Sequence, residues 1–256
     1  MAANAVKRPV LVVAGVGNGS GTGGATAKVF ALAGYSVAVI ARNPEHVKKT
    51  VDEVTAAGGE AAPFAVQGYD AVSLTSAFSA IQQHWPSSTH ALRVAVFNAG
   101  YGVWKPFLQI TDEEVAEALD TNVRAAFTFS KLAITAFKAN ELDAVGKRGA
   151  LIFTGATASL RGNKTTSAFA AGKFGLRALS QSLNKEFGRE NIHVAHAIID
   201  GGIITDRRRG NDPEWEKNED VRLNPESIAK SYLYLADQDR SAWTWELDLR
   251  PAHENW

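Results

Sequence analysis

Lys173 and Phe169 stand one helical turn apart in the run SAFAAGKFGLRALSQSLNKEF, and there the sequence comes nearest to chemistry. Side chains four residues apart share a helix face, so the Lys173 ammonium would lie beside whatever occupies 169. A tyrosine there would donate a proton, its phenol made more acidic by the neighbouring cation. The residue is phenylalanine, which has no hydroxyl. A second polar group, Asn122, sits inside a helical pattern where its propensity is poor unless the amide has a task. Arg124, two residues on, reads as a helix-surface or subunit-contact arginine; in a pocket its cation would bind a polar or anionic substrate group. Asn122, Arg124 and Lys173 are the catalytic candidates.

The elements that must hold these residues follow from pattern. Val10 to Ala14 is a short apolar, β-branched run, as expected of a central parallel strand covered on both faces. It leads into GVGNGSGTGGATAKVFALAGY, predicting a glycine turn and then a helix with Phe30 and Leu32 toward the core. Strand, glycine turn and helix N-terminus converge free amides and a helix dipole on one point, an anion site whose expected occupant is a pyrophosphate. Gly17, Gly21 and Gly23 have the spacing GxxxGxG, and Ser20 and Thr22 lie within it. Ser36 to Ala41 predicts the second strand, with Arg42 directly after it. An acid at that strand end would accept from a ribose 2′-hydroxyl, whereas an arginine would pair with a 2′-phosphate, so Arg42 favours NADP over NAD. Alternatively Arg42 is a solvated strand-end residue.

A helix from about Pro44 to Ala57, a strand Ala62 to Val66, a helix Val72 to His84 and a strand Leu92 to Phe97 follow. Gln67 and Gly68, at the exit of the third strand, would reach adenine. Asn98, Ala99 and Gly100, after the fourth, would let a cofactor approach the backbone closely. Residues 111 to 140 hold two helical patterns broken near Asp120 to Asn122, with Phe127, Phe129, Leu132, Ile134 and Phe137 as an apolar set. A strand from Ala150, then the long helix around Lys173, a strand Ile192 to Ile199, a helix Pro225 to Ala236 and a strand Trp243 to Leu249 complete the chain. The polar run from 206 to 224 has the composition of a mobile lid, with Trp215 as its apolar anchor. His193, His196 and His253 lack ligand-like spacing and are taken as structural.

Composition bounds the function. Twenty-seven basic and 27 acidic residues cancel, so no global charge draws the chain to nucleic acid or to an anionic membrane. Cysteine is absent, which excludes disulfides, thiolate ligands and a cysteine nucleophile. No apolar run approaches the roughly 20 residues that span a bilayer, and the N-terminal apolar run passes into glycines without a secretory cleavage pattern. One domain over residues 1–256, in the cytoplasm and without a bound metal, is the expectation.

Together the GxxxGxG loop, Asn98-Ala99-Gly100, Asn122, Lys173 and the segment Asp200-Gly201-Gly202-Ile203-Ile204-Thr205 resemble the short-chain dehydrogenase/reductase family over nearly the whole chain. The resemblance implies an α/β, doubly wound Rossmann fold with a seven-stranded parallel sheet and helices on both faces. It implies NADP(H) at the carboxyl ends of the strands, and a homo-oligomer, tetramer or dimer, built through the long helices. It places Asp200, Ile203 and Thr205 at the cofactor and makes Lys173 the ligand of the nicotinamide ribose. The family's tyrosine falls on Phe169 and its serine on Ala156, so both hydroxyls that handle a carbonyl oxygen are lost. Ala156, Phe169, Tyr101 and Trp215 would then line the substrate pocket.

Hydride addition to a ketone builds an alkoxide that needs a proton donor, whereas an iminium carbon accepts hydride and leaves a neutral amine. The sequence is similar in this respect to the bifunctional reductase/Diels-Alderases of prenylated indole alkaloid pathways. They lack the same two hydroxyls, reduce an iminium with NADPH and guide a cycloaddition. Arg124, and a lid run Asp212-Pro213-Glu214-Trp215 similar to that subgroup's Pro-Asp-Pro-Gly-Trp, extend the likeness; Asn211 and Glu214 depart from it. Three functions result: reduction of a pre-activated iminium-type substrate, with or without a pericyclic step; carbonyl reduction with a substitute hydroxyl from Tyr101, Thr154, Thr157, Ser159 or Thr165 to Ser167; or cofactor binding without chemistry.

Overall fold

The computed structural model describes residues 6–255. Seven parallel strands form one sheet in the order β3-β2-β1-β4-β5-β6-β7. They are β1 (Arg8–Ala14), β2 (Ser36–Ala41), β3 (Glu60–Ala65), β4 (His90–Phe97), β5 (Gly149–Thr154), β6 (Ile192–Ile199) and β7 (Glu246–Leu249). Strand order reverses between β1 and β4, which are neighbours although two strands separate them in sequence. In such a sheet the crevice beyond the carboxyl ends at that reversal is where ligands bind.

Among the described residues there are eight α-helices, α1 (Thr22–Leu32), α2 (Pro44–Ala56), α3 (Ala71–His84), α4 (Asp112–Leu119), α5 (Ala125–Lys138), α6 (Ser167–Phe187), α7 (Pro213–Lys217) and α8 (Pro225–Asp237). Two apolar layers result because the central strands are apolar on both sides. Phe97, Phe129, Phe153 and Leu176 pack on the face under α3, α5 and α6. Leu11, Phe30, Val39, Ile152 and Tyr232 pack on the face under α1, α2 and α8. Side-chain caps from Asn43, Asp70, Thr111 and Asn224 start α2, α3, α4 and α8.

The structure corrects the sequence expectations in four places. Leu32 is 58% exposed while Phe30 is fully buried, because positions two apart lie about 200° apart around a helix. Phe127 is likewise half exposed on α5. The break near Asp120 is not a loop: α4 runs into α5 through a π-helical turn, Asp120–Arg124. The final strand begins at Glu246, not Trp243. Within the 206–224 run, α7 is a short helix whose start is capped by Asp212.

Two glycines fix how closely the chain passes itself at the crevice. Gly15 has φ +93°, and a Cβ there would fall inside the Ala99 backbone. Gly23 offers its bare Cα to the carbonyl of Gly15. Gly15→Ala is expected to lower the unfolding free energy by about 3 kcal/mol or more, combining left-handed strain with a backbone clash. Gly17→Ala, at φ +58° with nothing within 4 Å of a Cβ, should cost only about 1 kcal/mol. Urea unfolding of the two variants checks the contrast.

Candidate active site

The crevice begins at the glycine loop. Helix α1 starts at Thr22 behind Gly21, which provides no side-chain cap, and no acid stands in the first turn. The Thr22 hydroxyl is buried and lacks a partner. Free amides, an orphaned hydroxyl and an unneutralised helix start suit a phosphate. A cavity of about 440 Å³ opens above, lined by Gly17, Gly21, Thr22, Asn98, Thr205 and Arg207 among others. Ser20 also lines this cavity, and its hydroxyl donates to Asn18 Oδ1 at 2.6 Å and accepts from Asp206 N–H at 3.0 Å. The loop is thereby clasped to the start of the 206–224 segment. Asn98 braces it from β4, donating from Nδ2 to the Gly15 carbonyl at 2.5 Å.

Beside it lies a cleft of about 340 Å³ bordered by Gly17, Arg42, Asn43, His46, Tyr69 and Asn98. Arg42 reaches Glu117 at 3.4 Å, with both side chains about half exposed, so the pair is weak and separable. Its guanidinium stands 5.7 Å from the Tyr69 ring centroid. Burial pushes the Tyr69 phenol up to about 12, with Arg42 pulling the other way. Gln67 and Gly68 line the adjoining cavity with Arg42, Tyr69 and Arg124. Tyr69 and His46 were missed from sequence; their signal was proximity to the β3 exit and to the start of α2.

At the opposite end, Lys173, Asn122 and Gly100 converge. A Cβ on Gly100 would lie 3.2 Å from Asn122 Oδ1 and 3.6 Å from Lys173 Nζ. The Asn122 amide donates to the carbonyls of Tyr101 and Ala118 at 2.7 and 2.8 Å, so the π turn aims this side chain inward to hold the chain after β4. Lys173 is buried, donates to the Thr154 carbonyl at 2.8 Å, and desolvation brings its ammonium down to about 8. Its Nζ lies 5.8 Å from the Phe169 ring centroid, and Trp104 packs on the same ring at 5.2 Å between centroids. Trp104 is a further wall residue that sequence periodicity did not single out.

The hydroxyls near Phe169 are largely committed. Thr154 Oγ1 pairs with the Tyr232 hydroxyl at 2.8 Å on the α8 side of the sheet. Thr157 donates to Asp200 at 2.5 Å, Thr165 to the Lys164 carbonyl at 2.6 Å and Thr166 to the Asn163 carbonyl at 2.9 Å. Ser159 is buried and its Oγ accepts from Ala156 N–H at 3.1 Å.

Three further sequence candidates are placed as follows. The Asp200 carboxylate is fully buried and turned into a network with Thr157, Arg161 and Arg250, the two arginines 3.6 Å away. It anchors the loop after β5 instead of presenting itself to a ligand. Arg124 is an exposed helix residue 3.5 Å from Asp120 and borders the Gln67 cavity, not the Phe169 wall, since the π turn that aims Asn122 inward turns it out. Trp215 lies under the Arg208 guanidinium, 4.4 Å from its ring centroid, and against Gly202. Ile203 bridges to Leu223, and Thr205 sits over Gly21. Among the described residues no cluster of three or more potential metal ligands occurs, and no helix is long and apolar enough to cross a membrane.

The sequence profile of the short chain dehydrogenases matches residues 10–216. The chain belongs to the short-chain dehydrogenase family. It is therefore an oxidoreductase of that type. A short-chain dehydrogenase structure from Rhodopseudomonas palustris is 32% identical, with a TM-score of 0.78 over 96% of this chain and 100% of that one. Among curated short-chain dehydrogenases, the 3-oxoacyl-acyl-carrier-protein reductase of Chlamydia muridarum is 28% identical over 231 residues, covering 88% of this chain and 89% of its own. The cyclohexanol dehydrogenase of an Acinetobacter species is 29% identical, covering 88% and 87%. A metagenomic short-chain oxidoreductase solved with NADP shares the fold at a TM-score of 0.77 and 23% identity, over 96% of this chain and 97% of that one.

Proposed function

We propose that the chain binds NADPH and reduces a small molecule whose carbon is already activated, as in an iminium ion. The observation that carries this reading is the Phe169 ring, seated against Lys173 and Trp104, with the hydroxyls of Thr157, Thr165 and Thr166 donated to other partners and that of Thr154 paired with the Tyr232 hydroxyl. NADPH supplies a hydride when bound. The glycine loop, with Thr22, would hold the pyrophosphate, Arg42 the 2′-phosphate, Gln67 and Tyr69 the adenine, and Lys173 the nicotinamide ribose. Asn122 positions the Gly100–Tyr101 backbone, Ala156, Phe169 and Trp104 exclude water, and Trp215 closes the wall from the lid. No proton need be delivered to an iminium carbon, so the loss of a donor at 169 costs that reaction nothing.

The cofactor assignment has its own test. Arg42→Ala should weaken NADPH by about tenfold to a hundredfold, as for loss of a charge-assisted phosphate contact, and NADH much less. Equal losses for both would return Arg42 to the surface. For the reaction, NADPH oxidation should proceed with cyclic iminium ions and fail with a panel of ketones; a bridged product in the same assay would reveal a coupled cycloaddition. Binding of NADPH without turnover of either class would point to a protein that has shed its chemistry.

A second reading has one observation in its favour. Curated relatives such as the 3-oxoacyl reductase act, by name, on carbonyl compounds. Tyr101, whose backbone is pinned on both sides by Asn122, is the substitute donor for that chemistry. Ketone reduction abolished by Tyr101→Phe would establish it. Pairing of chains through α5 and α6 completes the proposal, supported by the exposed Phe127 and Phe174 on those helices.

A further inference from the structure

We propose that His46 is a second determinant of cofactor choice, an imidazole that holds the adenosine 2′-phosphate together with Arg42 and makes the preference for NADPH over NADH fall as pH rises. The inference rests on the reading that the Arg42 cleft takes that phosphate. His46 borders both the cavity over the glycine loop and the cleft beside Arg42. Helix α2 puts it there. Thr50 packs on the loop, its Oγ1 3.0 Å from where a Cβ on Gly19 would be, and the same oxygen donates to the His46 carbonyl at 2.9 Å. One turn nearer the helix start on that face, the imidazole comes beside Gly17. A Cβ on Gly17 would meet nothing within 4 Å, so room remains between this backbone, Arg42 and His46.

The helix terminus does not account for the site. Asn43 Oδ1 already accepts the backbone N–H groups of Glu45 and His46, at 2.9 and 3.1 Å, so the side chain is what position 46 contributes. The charged surroundings are mixed. Arg42 comes from the end of β2, held by Glu117 of α4, and Arg207 from the start of the lid. On α2 itself stand Glu45 and, further along, the Lys49–Glu53 pair at 3.6 Å. Arginines keep their charge throughout the neutral range and carboxylates theirs, whereas imidazoles as a class change charge there. His46 is the one imidazole among the arginines and carboxylates named here.

The test binds NADPH and NADH separately to the full chain, followed by nicotinamide fluorescence, from about pH 6.5 to about pH 8.5. In the unmodified protein the ratio of the NADH Kd to the NADPH Kd should fall about tenfold across that range, the size of one charge-assisted contact. In His46→Gln the ratio should stay level or rise, because the second ionisation of the phosphate, near a pH of about 6, strengthens its pairing with Arg42. Parallel profiles in the two proteins would overturn the role of His46. Arg42→Ala keeps the two ideas apart. If discrimination persists undiminished in that variant, the Arg42 reading fails whatever His46 does; if discrimination drops at every pH but the slope survives, both stand.

Discussion

Lowering the pH from about 7.5 to about 5 should remove about 4 kcal/mol of stability, on account of two buried histidines. His193 and His196 on β6 are 1% and 0% exposed, and burial is the main cause that takes each imidazole down to about 4. His193 accepts this because its ring stacks on Trp243 and hydrogen-bonds the Thr244 carbonyl at 2.8 Å. His196 pairs with Glu246 at 3.1 Å, which opposes the shift, while Lys173 and Arg177 add to it. A depressed folded value means that the unfolded chain takes up the protons first. The contribution is complete above an ordinary imidazole value near 6.5 and is lost progressively as pH falls toward about 4. At a pH of about 5 each histidine accounts for about 2 kcal/mol, against a total stability that for most domains is about 5–15 kcal/mol. Urea unfolding at the two pH values measures the loss, and His193→Phe should halve it. A calorimetric proton uptake well below about two per chain unfolded near pH 5 would show that these rings are not the cause. Lys173 acts in the same direction at the alkaline end: its lowered value favours the neutral amine in the folded state, so stability should rise further above about pH 8.

The second large effect is a gain. Introducing both hydroxyls, with Phe169→Tyr and Ala156→Ser, should raise ketone reduction by about a hundredfold or more over the unmodified protein, since a positioned general acid contributes about 10²–10⁴ in rate. The scaffold for it is in place. Lys173 is buried 5.8 Å from the ring centroid at 169, close enough to make a phenol there more acidic, and is itself held by the Thr154 carbonyl. Asn122 and Gly100 stand beside it, so the cofactor end of the site would not need rebuilding. Iminium reduction, which needs no acid, should change little in the same variant. Steady-state rates with both substrate classes decide the matter. If the double variant stays inert toward ketones while NADPH binding is intact, absence of a proton donor is not what limits this site.

How much of this was legible in the sequence differs by residue. Strands β2 and β6 could be read to the residue, because a short, mostly apolar run rich in valine and isoleucine and bounded by turn residues has few other uses. The Gly-rich loop could be read as a turn between a strand and a helix start, since the three are contiguous in the chain. His46 and Tyr69 were not singled out: they reach the crevice from separate elements, and only their nearness to the start of α2 and to the β3 exit marks them. Asp200 looked like a cofactor residue by its place after β6, yet Thr157, Arg161 and Arg250, up to 50 residues away, turn its carboxylate inward. Lys147 is similar, a lysine buried to carry its ammonium to the Ala236 and Gln238 carbonyls at the end of α8.

What the sequence determined by itself was the order of strands and helices, the glycine turn that leads from β1 into α1 and the lack of a hydroxyl at 169, because each depends on neighbours within a few residues. Tertiary structure alone decided where the Asp200 carboxylate points, that a π turn joins α4 to α5, and which hydroxyls are already engaged. Those outcomes depend on hydrogen-bond and charge partners brought together by the sheet from distant parts of the chain, and local periodicity carries no record of them.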